Sequence, residues 1–323
     1  MSGVPRADRP QARTIFFGSG AFAVPILDAL AGHDRIRLVA AVTAPDRPAG
    51  RRAALTPTPV AERAAELDLP LLQPERLRAP ESVSALASLG PDLGVLADYG
   101  QIVPRSVLEL PRFGILNIHP SLLPRHRGAT PIQATIASGD ERAGISILRM
   151  DEGLDTGPLV AQDWWALDGT ERATELEAVA AQRGADLLER TLGPWLDGTI
   201  QPTPQEDSLA TVTRPLRRED ARLDPLLTAL DLDRRVRANT PWPGSFVETE
   251  LGRLAVLAAS LAESRPGDRP GVILRQGDRP AIATSSGRLV LDRIRPAGGQ
   301  AMDGADFVRG HPSIVGTAVL ARR

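Results

Sequence analysis

A doubly wound α/β domain with a mostly parallel sheet, followed by a small OB-like β-barrel, is the architecture this sequence predicts. Three observations carry it. Short apolar runs alternate with amphipathic stretches from Thr14 to Leu192, the rhythm of strand and crossover helix. The rhythm breaks at Gly193, Pro194, Gly198, Pro202 and Pro204, the punctuation of a linker. Beyond it the runs shorten, and five of strand length are separated by Gly and Pro, as in small barrels. The expected division is a tail at 1–13, an α/β domain at 14–206 with its linker at about 193–206, and the barrel domain at 207–323.

Taken in order, residues 14–17 form a buried strand and Gly18-Ser19-Gly20 a tight turn. A helix from Ala23 or Val24 to Leu30 places Pro25 in its first turn, where its missing N–H has no intrahelical partner to lose. The spelling Gly18-x-Gly20-x-x-Ala23 imitates a dinucleotide fingerprint. Yet the next strand, 38–43, lacks the ribose-binding acid at its end, and Asp46 comes three residues late. The turn is therefore assigned to fold geometry. Residues 44–59 read as an irregular loop, too long for an ordinary connection and carrying Arg47, Arg51 and Arg52. Helices are expected at 60–67, 80–89 and 131–138, and strands at 70–72, 93–97, 144–150 and 158–164. A long amphipathic helix at 170–192 is expected to be interrupted near Gly184. In the C-terminal part a helix near 225–238 precedes strands at 246–251, 254–260, 272–275, 281–284 and 289–294. Trp242, inside Pro241-Trp242-Pro243-Gly244, is assigned to the core.

The formal charge is −2, so no global basic signature marks a nucleic-acid partner, but the charge is uneven. Residues 1–206 carry 20 Arg against 26 acidic side chains, and residues 207–323 carry 18 against 14. Arg214, Arg217, Arg218, Arg234, Arg235 and Arg237 cluster in sequence just before the barrel strands. A basic domain beside an acidic one suits a partner with phosphates. All 38 basic residues are arginine, and there is no cysteine, which excludes disulfides, thiolate zinc sites and a cysteine nucleophile. No run reaches the roughly 18 apolar residues of a membrane helix, and residues 1–13 lack the apolar core of a signal peptide. The expectation is a cytoplasmic monomer without a metal.

The chemistry concentrates between Gly114 and Gly157. A short buried strand ends at Pro120, and Asn117 and His119, two apart, project from one face of it. A carboxamide and an imidazole at a strand end suit the holding of an oxygen that becomes negative, with a proton to manage. A carboxylate such as Asp155 orients the imidazole. On residues alone this is acyl transfer to an amine. The run Asn117-Ile118-His119-Pro120-Ser121-Leu122-Leu123-Pro124-Arg125-His126-Arg127-Gly128, with Leu154-Asp155-Thr156-Gly157 behind it, resembles the folate-dependent formyltransferases, and most of all those acting on methionyl-tRNA.

That resemblance implies a formyltransferase-like Rossmann domain with a tRNA-binding barrel. It implies transfer of a formyl group from 10-formyltetrahydrofolate to the amino group of initiator methionyl-tRNA. It makes Asn117, His119 and Asp155 the catalytic residues. It puts Ser121, Leu122, Leu123 and Pro124 along the formyl-folate, and Arg47, Arg51 and Arg52 against the tRNA acceptor stem. Around the pterin pocket it leads one to expect a small residue where this chain has Asp98. The alternatives are a formyltransferase acting on a nucleotide sugar or purine precursor amine, a dehydrogenase using the Gly18 turn, and an RNA-binding protein that has lost catalysis.

Overall fold

The computed structural model describes residues 10–49 and 54–320, and these fall into two compact units. The first runs to Pro131 and takes in Ala143–Trp165 and Glu177–Val212. The second consists of Ile132–Arg142, Ala166–Leu176 and the chain from Thr213 onward.

The first unit is built on a seven-stranded sheet. Its strands are β1 (Ala12–Gly18), β2 (Ile36–Val42), β5 (Leu71–Leu72), β6 (Leu93–Ala97), β7 (Ile115–His119), β9 (Arg142–Arg149) and β10 (Leu159–Ala166). Their spatial order is β10-β9-β7-β6-β1-β2-β5. The pairs β2–β5, β1–β2, β1–β6 and β6–β7 are parallel, and β7–β9 is antiparallel. The chain winds outward from β1 in both directions, so the switch point lies between β1 and β6. Ligands of open α/β sheets bind beyond the carboxyl ends of strands at such a point.

Helices α1 (Val24–Gly32), α2 (Pro59–Glu66), α3 (Pro80–Ser88) and the short α4 (Arg105–Leu108) serve this sheet. One core packs Ile15, Phe17, Val42, Leu86, Leu96, Tyr99 and Ile115. Phe16, fully buried, points to the other side, as strand alternation requires. The expected loop at 44–59 instead carries a hairpin, β3 (Arg47–Ala49) paired with β4 (Ala54–Thr56). Residues 50–53, with Arg51 and Arg52, lie outside the described residues.

Helix α6 (Ala173–Leu196) corrects two expectations, and its part from Glu177 onward belongs to this unit. It is unbroken at Gly184. A Cβ there would stand 3.0 Å from Ile118, so the glycine lets the helix sit close to β7. It also continues through Gly193 and Pro194, the first residues of the expected linker. Trp195 is buried and its indole N–H donates to the carbonyl of Phe113 at 3.2 Å, a tertiary anchor that outweighs the helix-breaking residues. Two short strands, β8 (Arg127–Gly128) and β11 (Val212–Thr213), and helix α5 (Pro131–Ser138) complete the elements up to Thr213.

The second unit holds α7 (Ala229–Ala238) and an antiparallel curled sheet of small-barrel type. Its strands are β12 (Phe246–Thr249), β13 (Gly252–Ala262), β14 (Ile273–Gln276), β15 (Arg279–Ala283), β16 (Arg288–Pro296) and β17 (Met302–Asp303), with α8 (Gly304–Gly310) following. The order is β12-β13-β16-β15-β14, with β17 on β16. Register shifts along β13–β16 supply the local bend. The C-terminal tail joins the two sheet edges. Val319 N–H donates to Gly271 O at 2.7 Å beside β14, and Leu320 N–H to Glu248 O at 2.8 Å on β12. The core includes Leu232, Val236, Val247, Val256, Ile282, Leu291 and Phe307.

Trp242 is not in that core. It is 56% exposed, because the turn between α7 and β12 presents it outward. Several of the basic side chains before the barrel strands are already paired. Arg214 is bidentate to Asp220 at 2.7 and 2.6 Å, and Arg237 reaches Asp233 at 2.9 Å. Among the described residues no helix is long and apolar enough to cross a membrane.

Candidate active site

Strand β7 is buried on both faces, which its apolar residues Ile115, Leu116 and Ile118 explain. Asn117 and His119 are the polar exceptions, 7% and 5% exposed. Buried polar groups need partners, and both find them in Asp155. Asn117 Nδ2 donates to Asp155 Oδ1 at 2.9 Å. Asp155 Oδ2 lies 3.6 Å from His119 Nδ1, an ion-pair distance, and accepts the Gly128 N–H at 2.8 Å. The other imidazole nitrogen, Nε2, donates to the carbonyl of His126 at 2.9 Å. Both ring nitrogens therefore face oxygen atoms, Nδ1 that of Asp155 and Nε2 that of His126. Asp155, 38 positions from Asn117, joins the two strand residues in one connected group at the carboxyl end of β7.

The loop after β9 delivers Asp155. Its φ is 54°, in the left-handed region that Asp tolerates better than most residues. Asp151 Oδ1 ties the loop internally, accepting from Gly153 N–H at 3.0 Å and Thr156 Oγ1 at 2.7 Å. Gly157 is required by space: a Cβ there would meet the carbonyl oxygen of Arg149 at 1.9 Å.

The segment 121–124 leaves directly from His119 and is fixed from beneath. Ser121 is buried, and its Oγ donates to Arg125 O at 2.7 Å. Leu123 is buried and its N–H donates to Ser146 Oγ at 3.0 Å, while Ser146 donates to Ser121 O at 2.7 Å. Gln162 Nε2 donates to both Leu123 O and Ser146 Oγ. Leu122 and Pro124 are partly exposed. Ser146, facing His119 across the β7–β9 ladder, thus holds the segment beside the three side chains.

Arg47 opens β3 and is exposed, whereas Arg51 and Arg52 lie outside the described residues. Sequence reasoning missed Ser146, Gln162, Gln205 and the backbone groups of His126 and Gly128. None of these carries a motif; only register and loop packing bring them in.

The Gly18 turn is internally satisfied. Asp98 caps the Gly20 N–H, and a Cβ on Gly20 would stand 1.8 Å from its Oδ2. Ser19 Oγ donates to Tyr99 O and receives Ala44 N–H. A carboxylate on the turn repels a pyrophosphate. Asp46, the late acid, accepts from Gln73 at 2.7 Å. The departure at Asp98 thus has a structural role in the turn. Desolvation raises its carboxyl above the usual range, partly opposed by the Gly20 N–H. Glu177 is raised too, by desolvation first and then by the charge of Asp98. Among the described residues no cluster of three His, Cys, Asp or Glu is arranged to hold a metal.

Residues 12–192 match the formyl transferase family, and residues 215–312 match the formyl transferase C-terminal domain. The methionyl-tRNA formyltransferase of Halorhodospira halophila is 44% identical over 309 residues, covering 95% of this chain and 99% of that protein. That of Chloroflexus aurantiacus is 42% identical over 302 residues, covering 92% and 96%. Among solved structures, an N-formyltransferase from Helicobacter canadensis in complex with folinic acid and dTDP-3-aminofucose superposes with a TM-score of 0.62 at 13% identity. The match covers 87% of this chain and 99% of that one, a likeness of fold.

Proposed function

Because the chain belongs to the formyl transferase family, in its methionyl-tRNA formyltransferase branch, we propose that it carries the formyl group of 10-formyltetrahydrofolate to the α-amino group of initiator methionyl-tRNA in the cytoplasm. The observation that supports the reading best is the contact of Asp155 with both Asn117 and His119 at the end of β7.

In this reading the amine nitrogen attacks the formyl carbon. A C–N bond forms, the bond from that carbon to N10 breaks, the amine loses a proton and N10 gains one. Negative charge develops on the formyl oxygen. The Asn117 amide and the His119 imidazole stabilise it, and Asp155 keeps both aligned. The proton leaves through this group directly or through water. No covalent intermediate with the protein is involved. The segment Ser121–Pro124, gripped by Ser146 and Gln162, is a firm wall for the formyl-folate. Arg47, with Arg51 and Arg52, meets phosphates of the acceptor stem, since guanidinium forks match phosphate oxygens.

The test is direct. Purified protein, 10-formyltetrahydrofolate and charged initiator tRNA yield formylmethionyl-tRNA, with charged elongator tRNA a poor acceptor. Turnover of an amino-sugar nucleotide with inert methionyl-tRNA would replace the substrate assignment.

A further inference from the structure

The stretch between α6 and β11 touches the group around Asp155. Gln205 Nε2 donates to two carbonyls at once, Asp155 O at 2.8 Å and Gly157 O at 2.7 Å. Its Oε1 accepts from Arg127, Nε at 3.1 Å and Nη2 at 2.9 Å. Arg127 is 6% exposed and also pairs with Asp207 at 2.7 Å. The residues flanking Arg127 are those that touch the site. The carbonyl of His126 takes the His119 N–H, and Gly128 N–H meets Asp155 Oδ2. The segment is sewn in further by Arg127 N–H to Thr211 O and His126 N–H to Thr211 Oγ1, at 2.9 and 2.8 Å. The contacts close a ring through Asp155, Gln205, Arg127 and Gly128 back to Asp155.

A ring of this kind has a purpose at Asp155. A non-glycine residue at φ 54° persists only where its surroundings hold it there. The internal ties of the loop, through Asp151, fix the residues around 155 but not its carbonyl. Gln205 holds the peptide on both sides of Thr156, while Arg127 holds Gln205. We infer that Gln205, backed by Arg127, is a positioning residue that fixes the Asp155 carboxylate against Asn117 and His119. The stretch expected as a linker is thus part of the site's frame. The inference rests on Asp155 serving the reaction as proposed above.

The experiment uses the full chain and measures kcat, KM for each substrate and thermal unfolding of Gln205→Ala, Gln205→Glu, Asp155→Asn and the double variants. Gln205→Glu keeps the Arg127 pair but cannot donate to the two carbonyls, so it serves even if Gln205→Ala fails to fold. The expected result is a kcat lower by on the order of 10–100-fold in each Gln205 variant that folds, with KM for both substrates within about twofold, the signature of a misplaced catalytic group. In the Asp155→Asn background the Gln205 change adds little, because its effect runs through Asp155. Wild-type kcat in Gln205→Glu, or an undiminished loss in the Asp155→Asn background, overturns the inference. Full activity of Asp155→Asn alone overturns the functional reading instead, so the two failures are told apart.

Discussion

Asp155 is held from three separate segments: by Asn117 and His119 of β7, Gly128 of β8 and Gln205 of the stretch after α6. Because its carboxylate is shared, removing either end of the Asn117–Asp155 bond is expected to leave the fold and remove the chemistry. Asn117→Ala and Asp155→Ala should each lower kcat by on the order of 10²–10³, the cost of one oxyanion donor, with thermal unfolding little changed. Single-turnover formylation measures this, and wild-type rates in either variant would remove the residue from the mechanism. Tyr99 makes the opposite point. It packs edge-to-face on Phe17 at 5.6 Å between centroids, and its hydroxyl is buried without a hydrogen-bond partner among the described residues. Burial pushes that hydroxyl up to about 12. An unsatisfied buried polar group costs about 1–3 kcal/mol, so Tyr99→Phe should match or exceed the wild-type denaturation midpoint at unchanged activity. A marked loss of stability would mean the hydroxyl is satisfied.

Among the elements, α2 shows local sequence deciding structure. Thr58 sits before Pro59, and its Oγ1 accepts the Ala61 N–H at 3.0 Å, an N-cap followed by proline in the first turn. The same hydroxyl lies 2.7 Å from Thr43 Oγ1. Thr58→Ala should lower unfolding stability by about 1 kcal/mol, read as a shifted urea midpoint at constant m. Helix α6 shows the reverse: Gly184, Gly193 and Pro194 all argue against a continuous helix, yet contacts with Ile118 and Phe113 carry it to Leu196. Strand β7 joins both cases. That it is a short buried strand was legible, and so was the shared face of Asn117 and His119, because period two is a property of the strand alone. That Ser146 lies opposite His119 came only from the register with β9.

At the scale of the whole molecule, the charges of the barrel unit make it sensitive to acid. Asp268 is held down to about 2 by side-chain bonds from Arg288, then by the Arg265 N–H. Asp220 is likewise held to about 2 by Arg214 and the Arg217 N–H. Their unfolded carboxyls titrate near about 4. The stability they contribute is complete above that value and is lost as pH falls through it toward about 2. Melting temperatures between pH 7 and 2 should therefore drop in that window, with a shallower drop in Asp268→Asn; an identical acid limb would remove the pair as its cause. The two-part architecture, the parallel sheet and the pair on β7 were legible because they follow from periodicity and from motifs whose spacing is local. Burial of Trp242 was not a safe inference, since the turn before β12 faces it outward. Nor was the role of residues 193–206 legible, because their Gly and Pro content says only that regular structure weakens there. The sequence by itself determined the layers of the first unit, the position of Asn117 and His119 at a strand end, and the family. Only the tertiary structure decided that Asp155 meets them, that Asp98 closes the Gly18 turn, and that Gln205 and Arg127 grip the Asp155 loop. Those contacts join residues 36 to 78 positions apart. Hydrogen bonds over such separations are set by strand register and loop packing, which no local pattern in the chain encodes.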